Sequence, residues 1–126
     1  MSSRDQRNAE AIDRARASLR AAGAEELPPQ PWQHTGQPAS DADLVRYAAW
    51  RARKPDVDID IVTSGIRLLE SARAELDQIE AALLFAARTA GVTWPNLSDA
   101  LGLRSAQAAQ QRLTRVAARL DAGAEQ

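Results

Sequence analysis

The chain has no cysteine. That removes disulfides, thiolate zinc sites and thiol nucleophiles together. It has one histidine, His34, so a histidine metal cage lacks its ligands and a Ser-His-Asp relay would rest on that residue alone. Aromatic residues are equally sparse: Trp32, Tyr47, Trp50, Phe85 and Trp94 are the only five in 126 positions. No stretch approaches the roughly 18 apolar residues of a membrane helix, and no N-terminal apolar run has signal-peptide length. These absences predict a cytoplasmic chain without membrane association. What is plentiful is alanine, at 27 residues. Alanine is the best helix former and a poor strand former, so the composition predicts an all-α protein and argues against a β sandwich or barrel.

Net charge is −1, but the charge is unevenly spread. Residues 1–55 carry a net +2, residues 56–82 a net −5, and residues 83–120 a net +4 from five arginines and one acid. A locally basic segment steers an anionic partner even when the average is neutral.

The length suits a single domain over 1–126, with four to five helices in a compact bundle. Residues 4–22 carry a thin apolar stripe at helical spacing (Ile12, Ala15, Leu19, Ala22) that needs a packing partner. Residues 24–39 hold four prolines and read as a linker with polyproline character. Trp32 is expected to pin that linker to the helices, and His34 to be exposed and inert. Ser40 can cap a helix over 41–54 that ends at Pro55. Over 56–90, Ile61, Gly65, Leu68, Ala72, Leu76, Ile79, Leu83, Ala86 and Ala90 form a heptad-like seam, which predicts one long helix. Its first residues alternate Val57, Ile59 and Ile61 with aspartates, a strand period, but a lone strand would have no mate. The same aspartates imitate half of a calcium loop. Ile61 and Arg67 stand where that loop needs Gly and Glu, so no calcium site is expected.

The sharpest signal lies in 93–120. Thr93 can cap a short helix opening with Trp94 and Pro95, Gly102 can terminate it, and Ser105 can cap the next. Ala109, Leu113, Val116 and Leu120 then line one apolar face. Helix, tight glycine turn and helix is the layout of a DNA-binding helix-turn-helix. Ala106, Gln107, Gln110, Gln111 and Thr114 point away from the apolar face. Glutamine can pair with adenine in the major groove and alanine can touch a thymine methyl. Arg104, Arg112, Arg115 and Arg119 flank that face at phosphate-reaching positions. If most of the five arginines reached phosphate, the log-log salt slope would be roughly −4 per protomer. The site expected from the residues therefore comprises Arg104, Ser105, Ala106, Gln107, Gln110, Gln111, Arg112, Thr114 and Arg115. A plain αα-hairpin with a solvated polar face is the structural alternative. It would usually mix Glu with Arg, which this helix does not.

Residues 70–116 also resemble a group of small actinobacterial helix-turn-helix proteins. The resemblance rests on Glu75-Leu76-Asp77-Gln78-Ile79-Glu80, on Ala86–Trp94 and on Ala100–Arg112. Two positions depart from the group's pattern: Ala106 stands where it has Arg, and Thr93 where it has Ser. The resemblance implies a DNA-binding protein or transcriptional regulator. Double-stranded DNA is the expected partner of a transcriptional regulator or nucleoid-associated protein. Because a single small motif binds weakly, a homodimer presenting two copies is expected, with the 56–90 helix as first candidate interface and the 4–22 helix as second; the alternative is that the seam packs within the monomer against residues 4–22 and 41–53. A protein-interaction adaptor using the same helices is the alternative. No enzyme activity, cofactor or metal is expected, since Glu75 and Glu80 do not share a helix face and no phosphate-cradling glycine loop is present.

Overall fold

Short polar side chains set where the helices begin. Ser40 Oγ accepts from Asp43 N at 3.3 Å, Asp58 Oδ1 from Asp60 N at 2.9 Å, Thr93 Oγ1 from Asn96 N at 3.3 Å, and Ser105 Oγ from Ala108 N at 3.1 Å. Each cap satisfies a backbone donor that the first helical turn leaves unpaired, a contribution of about 1 kcal/mol. The computed structural model describes residues 3–124, and within them the chain is all-helical with no strand. The helices are α1 (Ser3–Ala21), α2 (Asp41–Arg51), α3 (Ile59–Arg67), α4 (Leu69–Thr89), α5 (Trp94–Leu101) and α6 (Ala106–Ala124), with a 3-10 turn at Ala24–Glu26. None of them is long and apolar enough to cross a membrane.

Six helices replace the four or five expected, because the run over 56–90 is broken. Asp58 caps α3 and leaves Val57 outside the helix, so the strand-like alternation becomes a helix start. At Leu68 the backbone moves to φ −93°, ψ 0°, and its N–H reaches Gly65 O at 3.2 Å, three residues back. This one-residue tightening separates α3 from α4 and leaves the Leu68 side chain fully buried. The helix expected over 41–54 ends at Arg51, since Arg53 and Lys54 bond three residues back as the chain approaches Pro55. The chain divides into two compact units, Met1–Arg73 and Ala74–Gln126, where one domain was expected, and the boundary falls inside α4.

In the first unit α1, α2 and α3 enclose Ala15, Leu19, Leu44, Tyr47, Ala48, Ile61 and Leu68. Leu19, Leu44 and Leu68 have no exposed surface, each worth about 1.5–3 kcal/mol of burial. Gly65 allows α3 to lie against α2, because a Cβ there would sit 2.5 Å from Ala48 Cβ. Polar contacts close the rim. Tyr47 Oη donates to Ala22 O at 2.9 Å, and Arg51 Nη1 donates to the same carbonyl at 2.9 Å. Asp41 accepts from Arg16 Nε at 2.9 Å and Nη2 at 2.8 Å, and from Ser71 Oγ. The Arg16 hydrogen bonds hold the Asp41 carboxyl below the ordinary range, against the opposing effect of burial. In the linker Trp32 is 77% exposed, so it does not anchor the segment. Glutamines organise it instead: Gln33 Nε2 donates to Pro38 O at 3.1 Å and Gln37 Oε1 accepts from His34 N at 2.8 Å.

Gly65→Ala is expected to lower unfolding free energy by about 1–2 kcal/mol despite alanine's higher helix propensity, because neither backbone can yield cheaply. Ala48→Gly in the same chain should restore part of the loss. Urea denaturation of the two single variants and the double variant checks both statements.

Candidate nucleic-acid interface

The second unit is built around two glycine turns of the same kind. At the end of α4, Val92 N bonds to Ala87 O at 2.9 Å and Gly91 N to Arg88 O at 3.0 Å. At the end of α5, Leu103 N bonds to Ser98 O at 2.8 Å and Gly102 N to Asp99 O at 3.0 Å. This pairing of a five-residue and a three-residue return satisfies the last carbonyls of a helix. It needs a left-handed residue, which Gly102 supplies at φ +70° without a Cβ penalty. In both turns the residue after the glycine is apolar. Val92 and Leu103 fold inward against the cluster of Leu84, Leu97 and Ala109, joined by Trp94, Leu101 and Leu113. The turns therefore do two things at once: they end one helix and seat the next on the core. Arg88 stacks on Trp94 with its guanidinium carbon 4.4 Å from the ring centroid, and its Nη1 donates to Val92 O at 2.7 Å. Trp94 is accordingly a packing residue.

On α6 the buried side consists of Ala109 and Val116, with Leu113 and Leu120 half-buried beside them. Gln107, Gln110, Gln111, Thr114 and Arg115 are exposed, as are Arg104 and Ser105 in the preceding turn, while Ala106 is half-buried. At 100° per residue Gln107, Gln110, Gln111 and Thr114 fall within an arc of about 100° and extend about 10 Å along the axis. Two hydroxyls of the expected site serve the backbone: Ser105 caps α6, and Thr114 Oγ1 donates to Gln110 O at 3.0 Å.

Arg112 departs from its expected role. Its Nε and Nη2 donate to Glu80 Oε2 and Oε1 of α4 at 2.8 and 2.9 Å, a two-pronged ion pair. These bonds lower the Glu80 carboxyl and raise the Arg112 guanidinium. One turn pair further on, Arg119 Nη2 lies 3.3 Å from Asp77 Oδ1. With Arg88 on Trp94, three of the five arginines counted as phosphate ligands are committed inside this unit. Arg104 and Arg115 remain exposed and form no ion pair among the described residues. Sequence reasoning missed Asp77 and Glu80 as the partners of these arginines. Their signal lies in the opposite net charges of the segments 56–82 and 83–120, which can attract each other as well as an outside partner.

Bringing these residues together gives a rod with an amide-rich outer face, two flanking guanidiniums and a positive helix end. Among the described residues no group of three metal-ligating side chains comes together. No protein-family model, curated protein or solved structure matches the chain.

Glu80→Gln is expected to destabilise the second unit by about 1 kcal/mol near neutral pH, given the partial exposure of the pair. The lowered folded value means that the Glu80 contribution is fully present above the unfolded value of about 4.3 and is lost as pH falls through the folded value. Thermal melts at several pH values should show the variant and parent curves converging in acid.

Proposed function

We propose that residues 93–120 act as a helix-turn-helix that binds duplex DNA, with α6 lying in the major groove. The observation that carries this reading is the exposed row of Gln107, Gln110, Gln111 and Thr114, edged by Arg104 and Arg115, on the side of α6 opposite its buried residues. Glutamine amides offer a donor and an acceptor to a base edge, and adenine presents the matching pair in the major groove. Arg104 and Arg115 are the phosphate contacts, and Ser105 aims the helix end at the backbone. Arg112 and Arg119 act one step back, holding α6 so that its amide face projects. Transcriptional regulation at the nucleoid is the role that this reading implies.

The adaptor alternative draws nothing from this face. A protein interface needs aromatic or aliphatic anchors at its centre, and the outward side of α6 carries amides and guanidiniums.

Fluorescence anisotropy with duplex DNA tests the proposal. A folded protein should bind random duplex in the micromolar range with a log-log salt slope of roughly −2 per protomer, the value for two phosphate contacts. Gln107→Ala with Gln110→Ala should erode sequence preference and spare non-specific binding. Arg104→Ala with Arg115→Ala should weaken binding to every sequence and flatten the slope. Absence of binding at low salt by the folded parent chain would sink the reading.

A further inference from the structure

We propose that the proline-rich segment 24–39 forms one wall of a binding site for a small zwitterion with an aromatic body, phenylalanine being the simplest example. The site lies wholly within the first unit and is independent of the DNA reading. A cavity of about 670 Å³ opens between that segment and helices α1 and α2. Small-molecule sites occupy roughly 300–1,000 Å³.

The wall is held in shape by its own residues. Pro28, Pro29 and Pro38 line it, and each ring fixes its backbone φ. Gln33 fastens the two ends of the segment, accepting from Gln30 N and donating to Pro38 O at 3.1 Å. Gln37 Oε1 accepts from His34 N at 2.8 Å. The segment thus keeps its form without packing Trp32 onto the helices, and a ligand meeting it incurs little cost of ordering. Across the cavity α2 supplies the rings of Tyr47 and Trp50, 6.0 Å apart and tilted by 48°. Tyr47 is buried, whereas Trp50 is 59% exposed, which leaves an indole surface for an aromatic body to cover.

Charge selects the class of ligand. Arg20 and Arg46 line the cavity, and so do Glu25 and Asp43. Both signs therefore face one space, yet no ion pair joins any of these four among the described residues. Arg20 Nε is buried with no hydrogen-bond partner, and the neighbouring Asp41 is already bound by Arg16 and Ser71. A ligand carboxylate gives the guanidiniums the acceptor they lack, at charge-assisted strength. A ligand ammonium does the same for Glu25 and Asp43. An inorganic anion or a polyanion meets repulsion from the two carboxylates and leaves the aromatic wall uncovered, so neither fits.

Titration of the isotope-labelled full chain with L-phenylalanine, followed by NMR, tests the site without DNA. The three tryptophans give three indole N–H signals, and Trp50→Phe identifies the one at the cavity. That signal is expected to move saturably with a Kd on the order of 0.1–1 mM, as suits a ligand of about a dozen non-hydrogen atoms at an open site. The signals of Trp32 and Trp94, which do not line the cavity, should stay in place. Hydrocinnamate, which lacks the ammonium, and phenethylamine, which lacks the carboxylate, should each bind about tenfold more weakly. Arg46→Gln should weaken L-phenylalanine and hydrocinnamate and spare phenethylamine. Asp43→Asn should weaken L-phenylalanine and phenethylamine and spare hydrocinnamate. Neither side chain belongs to the buried core, so both variants should melt like the parent. A Trp50 signal that stays put at millimolar L-phenylalanine overturns the site. Equal binding of the three ligands, or variants that weaken all three alike, overturns the zwitterion assignment.

Discussion

Carboxylates on α4 grip α6 by its arginines, and what α6 can present outward follows from that grip. Glu80 takes Arg112 through two parallel hydrogen bonds, and Asp77 meets Arg119 further along the same helix. A planar guanidinium bound at two points fixes direction as well as distance. The apolar core of Leu84, Leu97 and Ala109 fixes which side of α6 faces inward. Core and ion pairs together leave α6 little freedom to roll, so Gln107, Gln110, Gln111 and Thr114 stay on the outer side. Charges that would otherwise count toward a polyanionic partner are spent on orientation, and the proposed DNA contact depends on two arginines and an amide row.

The glycine turns extend the same economy to the backbone. Each turn uses a left-handed glycine to recover the last carbonyls of a helix and then places an apolar residue on the core. Val92 and Leu103 therefore connect turn geometry to packing. In the first unit the corresponding constraint is steric. Gly65 against Ala48 brings α3 onto α2, and the Asp41 carboxylate ties α1 to α2 through Arg16 and accepts from Ser71 of α4. Those contacts bury Leu68 at the break between α3 and α4.

Helix α4 has two chemically different sides within the second unit. One side buries Ala81 and Leu84 and offers carboxylates to α6, while the other exposes Leu76, Ile79 and Leu83. The first side is the scaffold that orients α6.

Much of this was legible in the residues because it is local. Helix content follows from alanine and from periodicity. The caps at Ser40, Thr93 and Ser105 and the stop at Gly102 follow from short-range backbone needs, and the apolar face of residues 105–120 follows from the 3.6-residue repeat. The break at Leu68 was not legible, because the seam runs straight through it and only the packing of that leucine into the first unit separates α3 from α4. Exposure of Trp32 was hidden for the same reason: an aromatic in a proline-rich segment carries no mark of whether a pocket awaits it. Above all, the partners of the arginines were decided by tertiary structure. Sequence sets the sign and spacing of charges, but whether Arg112 faces a phosphate or Glu80, 32 residues earlier, depends on which helix lies beside it, and that is a long-range fact.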